Sequence, residues 1–319
     1  MSCRVLITGV SGFVGGALGA HLRGLGGYHV TGVSRGAARE GAVDQYRSWD
    51  LTRPLPADLG RFDAIVHAAA LSAPWGRPEA FRAANVEATR NMLAFARAAG
   101  CTRFVFVSSS SIYYRHGDPL GITEDTPFPA APINLYAATK REGEALVREA
   151  GLPAVILRPR AVFGPGDTVL FPRILRAARK GVLPRMRRAD GTSPQGDLIY
   201  IDNLSHYIER AIATPCEGAY NLTNNEPVDL FAFLRDVVQR LGLRPAERPI
   251  PVGVAFALAG LFEAGSRWLG GYREPPITRF GVEVMAHSKT FDVRRAVAAF
   301  GPPPVPLVEG VERFVQWAR

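Results

Sequence analysis

A chain of 319 residues with 47% apolar and 21% charged side chains is too apolar to be disordered and too long for one small core, so a large domain with a smaller lobe beside it is expected. Its three cysteines, Cys3, Cys101 and Cys216, are odd in number and widely spaced, which argues against a disulfide framework or a metal-ligand spacing and points to a reducing cytoplasm; no metal is expected. The net charge of +9 is carried by 35 arginines and only three lysines, Lys140, Lys180 and Lys289, and the arginines are scattered without a reading motif, so no nucleic-acid partner is expected.

The opening MSCRVLITG runs straight into an apolar, β-branched stretch with no basic region, apolar core and cleavage site ahead of it, so no secretory leader is expected. Arg4 to Thr8 reads as a buried strand. A glycine-rich loop follows, then a helix from about Phe13 to Leu25, broken by Gly26-Gly27, and a second strand from His29 to Val33. Ala64 to His67 is a further strand, Pro78 to Ala99 a long Ala-rich helix ending at Gly100, and Phe104 to Val107 another strand. Leu135 to Ala150 is a helix ending at Gly151, and Ala154 to Leu157 a strand. Strands alternating with helices imply parallel crossovers, hence an α/β fold with a Rossmann-type doubly wound parallel sheet over residues 1–165.

After Pro159 the texture changes. Helices are expected near 170–180, 204–213, 229–241, 253–269 and 307–318, separated by Pro-rich loops, with a late strand Ala219 to Leu222 returning to the main sheet. Residues 166–319 therefore read mainly as a smaller, mixed substrate lobe over the carboxyl ends of the strands. The longest apolar run, Ile250 to Phe262, is shorter than the about 20 residues a bilayer span needs, so no stable membrane insertion is expected. A buried or cleft-lining helix is the preferred reading of that run, with a greasy substrate entrance or loose membrane contact as the alternative.

Gly9, Gly12 and Gly15 lie between the first strand and the first helix. The first glycine permits the tight turn, the second lets a pyrophosphate approach the backbone, and the third lets helix and strand pack closely. Free N–H groups and the helix dipole would hold the anion, so a dinucleotide site is expected here. At the end of the second strand an Asp or Glu would favour NAD; this chain has Ser34 and Arg35, which can hold a 2′-phosphate, so NADP(H) is preferred and NAD(H) possible.

Tyr136-Ala-Ala-Thr-Lys140 starts a predicted helix. Nine tyrosines and three lysines in a chain this long give about 0.08 such pairs by chance. Four positions apart on a helix, the two side chains face the same way. A neutral phenol is a poor base, and a nearby ammonium lowers its pKa; the lysine could also hold the nicotinamide ribose.

Thr8-Gly9-Val10-Ser11-Gly12-Phe13-Val14-Gly15 matches, position by position, the T-G-x-x-G-F-x-G of the extended short-chain dehydrogenase/reductases, and with the Y-x-x-x-K the chain resembles that superfamily. The resemblance implies a Ser-Tyr-Lys site. Lining Phe104-Val-Phe and Ile112-Tyr113 up with the family strand makes Ser109 the catalytic serine, with Ser110 the runner-up, beside Tyr136 and Lys140. Ser109 would hydrogen-bond the substrate carbonyl and Tyr136 would give or take the hydroxyl proton. Gly9, Ser11, Gly12, Phe13, Val14 and Gly15 would bind the cofactor, with Ser34 and Arg35 at the adenosine ribose and Asp50-Leu51 near the adenine. A loop cap is the alternative for Asp50. Ala68, Ala69 and Ala70 after His67 resemble the small-residue strand end over the cofactor, and Asn85-Val86 the family's Asn-Val; Ala88 stands where a Gly is usual. Thr123-Glu124-Asp125 and Asn134 resemble the acidic approach to the tyrosine. Arg158-Pro159-Arg160-Ala161-Val162-Phe163-Gly164-Pro165-Gly166-Asp167 resembles the segment beside the nicotinamide, which places Pro159, Ala161 and Val162 there. A homodimer is expected by resemblance.

The R-P-R-A-V-F-G-P-G-D run, Asp202-Asn203, Glu274 to Phe280 and Phe291-Asp292 resemble the 3β-hydroxysteroid dehydrogenase-like branch, which includes reductases of 2-alkyl-3-oxoalkanoic acids. The expected activity is reversible hydride transfer between NAD(P) and a ketone on an apolar small molecule. A nucleotide-sugar epimerase or 4-ketoreductase is the competitor, for which Arg185, Arg187 and Arg188 could clasp a diphosphate or carboxylate; a solvated basic loop is the preferred reading of these three arginines. Against the competitor, Gly196 stands where those enzymes carry Arg. A non-catalytic NADP-sensing protein is the third reading, which the intact Ser109, Tyr136 and Lys140 disfavour.

Overall fold

The computed structural model describes residues 2–319. Its centre is a seven-stranded sheet built from β1 (Cys3–Thr8), β2 (Tyr28–Ser34), β3 (Gln45–Ser48), β4 (Ala64–His67), β5 (Arg103–Val107), β6 (Ala154–Pro159) and β7 (Gly218–Leu222). The order across the sheet is β7-β6-β5-β4-β1-β2-β3, and every neighbouring pair is parallel. The inner strands are continuous runs of buried Val, Ile, Leu and Phe because helices cover both faces. One face packs on helices Phe13–Leu25, Ile201–Ala213 and Arg294–Phe300, and the other on Ala88–Ala98 and Leu135–Glu149. From β1 the chain winds outward to β3, and from β4 the other way to β7, so the order reverses between β1 and β4. Ligands bind at such a crevice, beyond the carboxyl ends of the strands.

The expected boundaries hold within a residue or two for β1, β2, β4, β5, β6, β7 and the helices Phe13–Leu25 and Leu135–Glu149, and the late strand joins the main sheet through its register with β6, Ala219 opposite Ile156. The two parts interleave more deeply than a division at residue 165 suggests. Leu204, Tyr207, Ile208 and Phe300 belong to the same core cluster as Val5 and Val105. The remainder of the second half forms its own aromatic cluster around Phe163, Phe171 and Phe314 and a parallel strand pair, Val182–Arg187 with Ala246–Pro251. Two helices, Arg279–Ala286 and Arg294–Phe300, and the edge strand β3 were not expected. β3 reads QYRS and is exposed throughout, so it carries no hydrophobic pattern.

The long helix expected from Pro78 is interrupted. Residues Ala83–Glu87 form a π-helical turn between Pro78–Arg82 and Ala88–Ala98, and that turn carries the buried Asn85.

The apolar run 250–262 corrects the expectation of a buried or cleft-lining helix. It enters helix Val252–Trp268, in which only Ala255 and Ala259 are buried. Val254, Leu258, Leu261, Phe262 and Trp268 are exposed, and none lines the central cavity. A run apolar on every side has no periodicity to say which face is covered, and the helix docks through its smallest side chains. Among the described residues no helix is long and apolar enough to cross a membrane.

Candidate active site

A single cavity of about 1000 Å³ opens at the reversal point. Its inner end is made by the loop after β1. Gly9 has φ +77°, and a Cβ there would stand 2.9 Å from the Ala69 Cα; one on Gly15 would stand 2.4 Å from the Gly9 carbonyl oxygen. These are the tight turn and the close helix–strand contact that only glycine allows. Gly12 is the N-cap of helix Phe13–Leu25 and brings no side chain to it, so the first-turn N–H groups are left for a ligand.

Every expected cofactor position lines this cavity: Gly9, Ser11, Gly12, Phe13, Val14 and Gly15 on the loop, Ser34 and Arg35 after β2, Asp50 and Leu51, Ala68 to Ala70 after β4, and Pro159, Ala161 and Val162 after β6. The Ser34 hydroxyl donates to the Gly36 carbonyl at 2.8 Å, and among the described residues the exposed Arg35 guanidinium has no hydrogen-bond partner. Asp50 caps the loop, its Oδ1 accepting from Thr52 N (3.0 Å) and Oγ1 (2.9 Å), and it also lines the cavity. A dinucleotide fits these features: a glycine cradle that a Cβ would fill, an open helix terminus, and a free cation at the ribose end.

Ser109, Tyr136 and Lys140 make another part of the wall. Helix Leu135–Glu149 starts where Asn134 Oδ1 accepts from Ala137 N at 2.8 Å, so Asn134 acts as the cap. That start aims Tyr136 and Lys140 at the strand ends. Of the four consecutive serines after β5, Ser108, Ser110 and Ser111 are buried. The Ser108 hydroxyl is given to Glu144 at 2.6 Å and Ser110 Oγ lies 3.3 Å from the Tyr114 hydroxyl. Ser109 is the partly exposed one, held by Ser111 N, which donates to its Oγ at 3.2 Å.

The electrostatics correct one expectation. Burial pushes the Tyr136 phenol above its ordinary pKa, and the adjacent Ser72 and Ser109 hydroxyls act downward; the Lys140 ammonium is not among the groups acting on it. Lys140 is itself buried, which lowers its pKa to about 7 against the opposing pull of Glu144. Its Nζ donates to the Val107 carbonyl at 2.5 Å and lies 4.2 Å from the centre of the Phe106 ring. In this structure the lysine is anchored to the sheet rather than to the phenol.

Two buried polar networks fix this wall. Glu144 accepts from Arg158 Nε at 2.9 Å and Nη2 at 2.7 Å, tying the helix to β6 and, through Ser108, to the serine turn. Behind Tyr136, Asn85 Nδ2 donates to Thr139 Oγ1 (2.9 Å) while its Oδ1 accepts from Leu71 N (2.7 Å). Thr89 donates to the Asn85 carbonyl at 2.7 Å and so accepts from His67 Nε2–H at 3.1 Å, leaving His67 Nδ1 to accept from Thr8 at 2.8 Å. Burial lowers His67 to about 3, which keeps the ring neutral and this tautomer in place.

Arg185 and Arg187 are not in the site. They are exposed and line a separate pocket beside Phe231, while Pro184 and Met186 of the same strand face the cavity. The strand leaves both arginines exposed while it buries Leu183 and Met186. Arg188 is held by Asp118 at 2.7 Å. Ser72, Tyr114 and Arg160 line the cavity and were not expected there. Ser72 sits in a loop with no motif, while Arg160 lay inside a quoted motif whose variable positions carry no assigned role.

Residues 5–223 match the NAD dependent epimerase/dehydratase family. The chain belongs to this family. The resemblance to the extended short-chain dehydrogenase/reductases therefore holds. The chain is 31% identical to a 2-alkyl-3-oxoalkanoate reductase of Shewanella oneidensis over 98% of its own length and 85% of that protein's. It is 33% identical to one of Stenotrophomonas maltophilia, with 98% of each chain covered. It is 31% identical to a 3beta-hydroxysteroid-dehydrogenase/decarboxylase of Arabidopsis thaliana, over 90% and 70% of the two lengths. The solved UDP-glucuronic acid 4-epimerase of Bacillus cereus, in complex with NAD, superposes with a TM-score of 0.75 at 20% identity and 98% coverage of both chains, a likeness of fold. This family member is thus an enzyme on the dehydrogenase/reductase scaffold of an NAD-dependent family, with relatives named as oxidoreductases.

Proposed function

We propose that this enzyme is an NAD(P)-dependent oxidoreductase that interconverts a ketone and a secondary alcohol on an apolar substrate of the 3-oxo acid or sterol class, with NADP(H) preferred. The observation that carries the reading is the composition of one cavity. It is lined by a glycine cradle, by Ser109, Tyr136 and Lys140, and by the apolar side chains Leu183, Met186, Leu234, Ile277, Val282 and Met285. A nucleotide-sugar enzyme needs cations for a diphosphate among such a lining. Arg185 and Arg187 lie outside the cavity, and Arg173 is already paired with Glu274 at 2.7 Å.

A bound NAD(P)H supplies the hydride. The chain's own residues manage the oxygen and its proton. Ser109 donates a hydrogen bond to the ketone oxygen, and Tyr136 delivers its phenolic proton to that oxygen as the carbon is reduced. Burial keeps the phenol protonated, so it carries the proton that this step requires. Lys140, one helical turn behind and held on the Val107 carbonyl, is placed as a donor for the nicotinamide ribose.

The test is a screen of 3-oxo acids, sterols and nucleotide sugars by nicotinamide absorbance, repeated with Tyr136→Phe. Net oxidation of NADPH by a 3-oxo acid or a 3-oxosteroid is expected. The variant is expected to lose roughly 100- to 10,000-fold in turnover while binding NADPH within about threefold of wild type. Interconversion of nucleotide sugars without net cofactor change would overturn the reading.

A further inference from the structure

We infer that Arg160 is the anchor for a carboxylate next to the reacting ketone, which makes the substrate a 3-oxo acid rather than a neutral ketone. The inference rests on the reductase reading above. Arg158 and Arg160 are both buried where the chain leaves β6. Arg158 is satisfied, since Glu144 takes its Nε and Nη2. Arg160 is only 4% exposed, and its Nε and Nη2 are buried without a hydrogen-bond partner. Leaving a buried guanidinium unpaired is costly unless a ligand completes it. Arg160 lines the same cavity as Ser109 and Tyr136.

Its place within the cavity says which part of a ligand it would meet. The guanidinium carbon lies 5.1 Å from the centre of the Tyr114 ring, and the Tyr114 hydroxyl is 3.3 Å from Ser110 Oγ, beside Ser109. Arg160 thus stands one aromatic ring from the serine turn. The group it holds is therefore close to the reacting carbonyl, unlike the diphosphate of a nucleotide sugar. A second buried cation, Lys289, lies 5.5 Å from the same ring, but it has a carboxylate, Glu283, at 2.9 Å. Asp197 feels the charge of Arg160 without pairing with it, and its Oδ2 is taken by Phe291 N at 2.7 Å. The next residue, Ala161, has φ +44°, a conformation L-residues rarely adopt, which fixes the chain at the point where Arg160 departs from the strand. A planar guanidinium with two free donors matches a carboxylate in a bidentate pair.

The experiment compares a 2-alkyl-3-oxo acid with its methyl ester, which keeps the ketone and removes the charge, in wild type, Arg160→Met and Arg160→Lys. The wild type is expected to prefer the acid in kcat/KM by roughly 10- to 100-fold, the range of a charged hydrogen-bonded pair. In Arg160→Met that preference falls to near unity through KM for the acid, and Arg160→Lys recovers part of it. NADPH binding by fluorescence reports whether each variant is folded, and its loss in the lysine variant would assign Arg160 to the cofactor or the fold and overturn the inference. A wild type that reduces acid and ester equally, or a preference that survives in Arg160→Met, also overturns it. A wild type that oxidises NADPH with neither compound overturns the reductase reading instead.

Discussion

Replacing Lys140 by methionine is expected to remove turnover and raise the stability of the cofactor-free protein. The ammonium is 2% exposed, and burial takes its pKa from 10.5 to about 7. A change of that size corresponds to roughly 5 kcal/mol between the folded and unfolded chains. The sign follows from proton counts. Between about pH 7 and 10.5 the unfolded chain holds a proton on this lysine that the folded chain has released, so wild-type stability rises with pH across that window. Below about pH 7 the charged, buried group imposes its full cost. Methionine keeps most of the stem's packing and gives up the bond to the Val107 carbonyl, worth about 1 kcal/mol. The net gain at pH 6 is therefore expected to be on the order of 2–4 kcal/mol, shrinking toward pH 9. Urea denaturation of both proteins at pH 6 and pH 9, followed by circular dichroism, measures it. A variant less stable than wild type at both values, or two proteins with the same pH slope, would refute the reasoning.

Other consequences follow from the same wall of the cavity. In Glu144, burial raises the carboxyl pKa, but Arg158 and Ser108 more than offset this, so the group stays ionised below the ordinary carboxylate range. Its contribution to stability is present above about pH 4.5 and lost as pH falls through the folded value. Glu144→Gln leaves the Arg158 charge uncompensated and is expected to cost about 3–5 kcal/mol at pH 7 in urea titration; a loss under about 1 kcal/mol would show that the pair is dispensable. Arg35→Glu is expected to raise the Kd for NADPH at least about tenfold and leave that for NADH within a few-fold, by fluorescence titration. Parallel weakening of both cofactors would remove the 2′-phosphate role from Arg35.

The residues of the glycine loop were legible because chemistry restricts them to one choice. No side chain fits at Gly9 or Gly15, and the Tyr136–Lys140 spacing is rare by chance. The buried strands were legible for the same reason, as continuous apolar runs between glycines. Polar or proline-bearing strands were not: β3 carries no pattern, and Val182–Arg187 carries Pro184 and buries only Leu183 and Met186, three positions apart. On that strand Arg185 and Arg187 are exposed, as a solvated basic segment would be, and a cluster of cations in sequence says nothing of which side of a strand each occupies. Helix Val252–Trp268 shows the opposite case, in which an apolar run fixes the helix but not which of its faces is covered. The unpaired state of Arg160 and the anchoring of Lys140 on Val107 are tertiary facts. They depend on which carboxylates fold back onto which cations, and Glu144 and Glu283 are claimed by Arg158 and Lys289.

The most direct test of the account follows the hydride itself. NADPH carrying deuterium at the transferable C4 position is mixed with a 2-alkyl-3-oxo acid and the wild-type protein, and the organic product is read by mass spectrometry and NMR. The account predicts one deuterium on the carbinol carbon for each NADP+ formed. Unchanged substrate with all the label still on the nicotinamide, or a rearranged sugar nucleotide with no net NADP+ when that substrate is supplied, would contradict it.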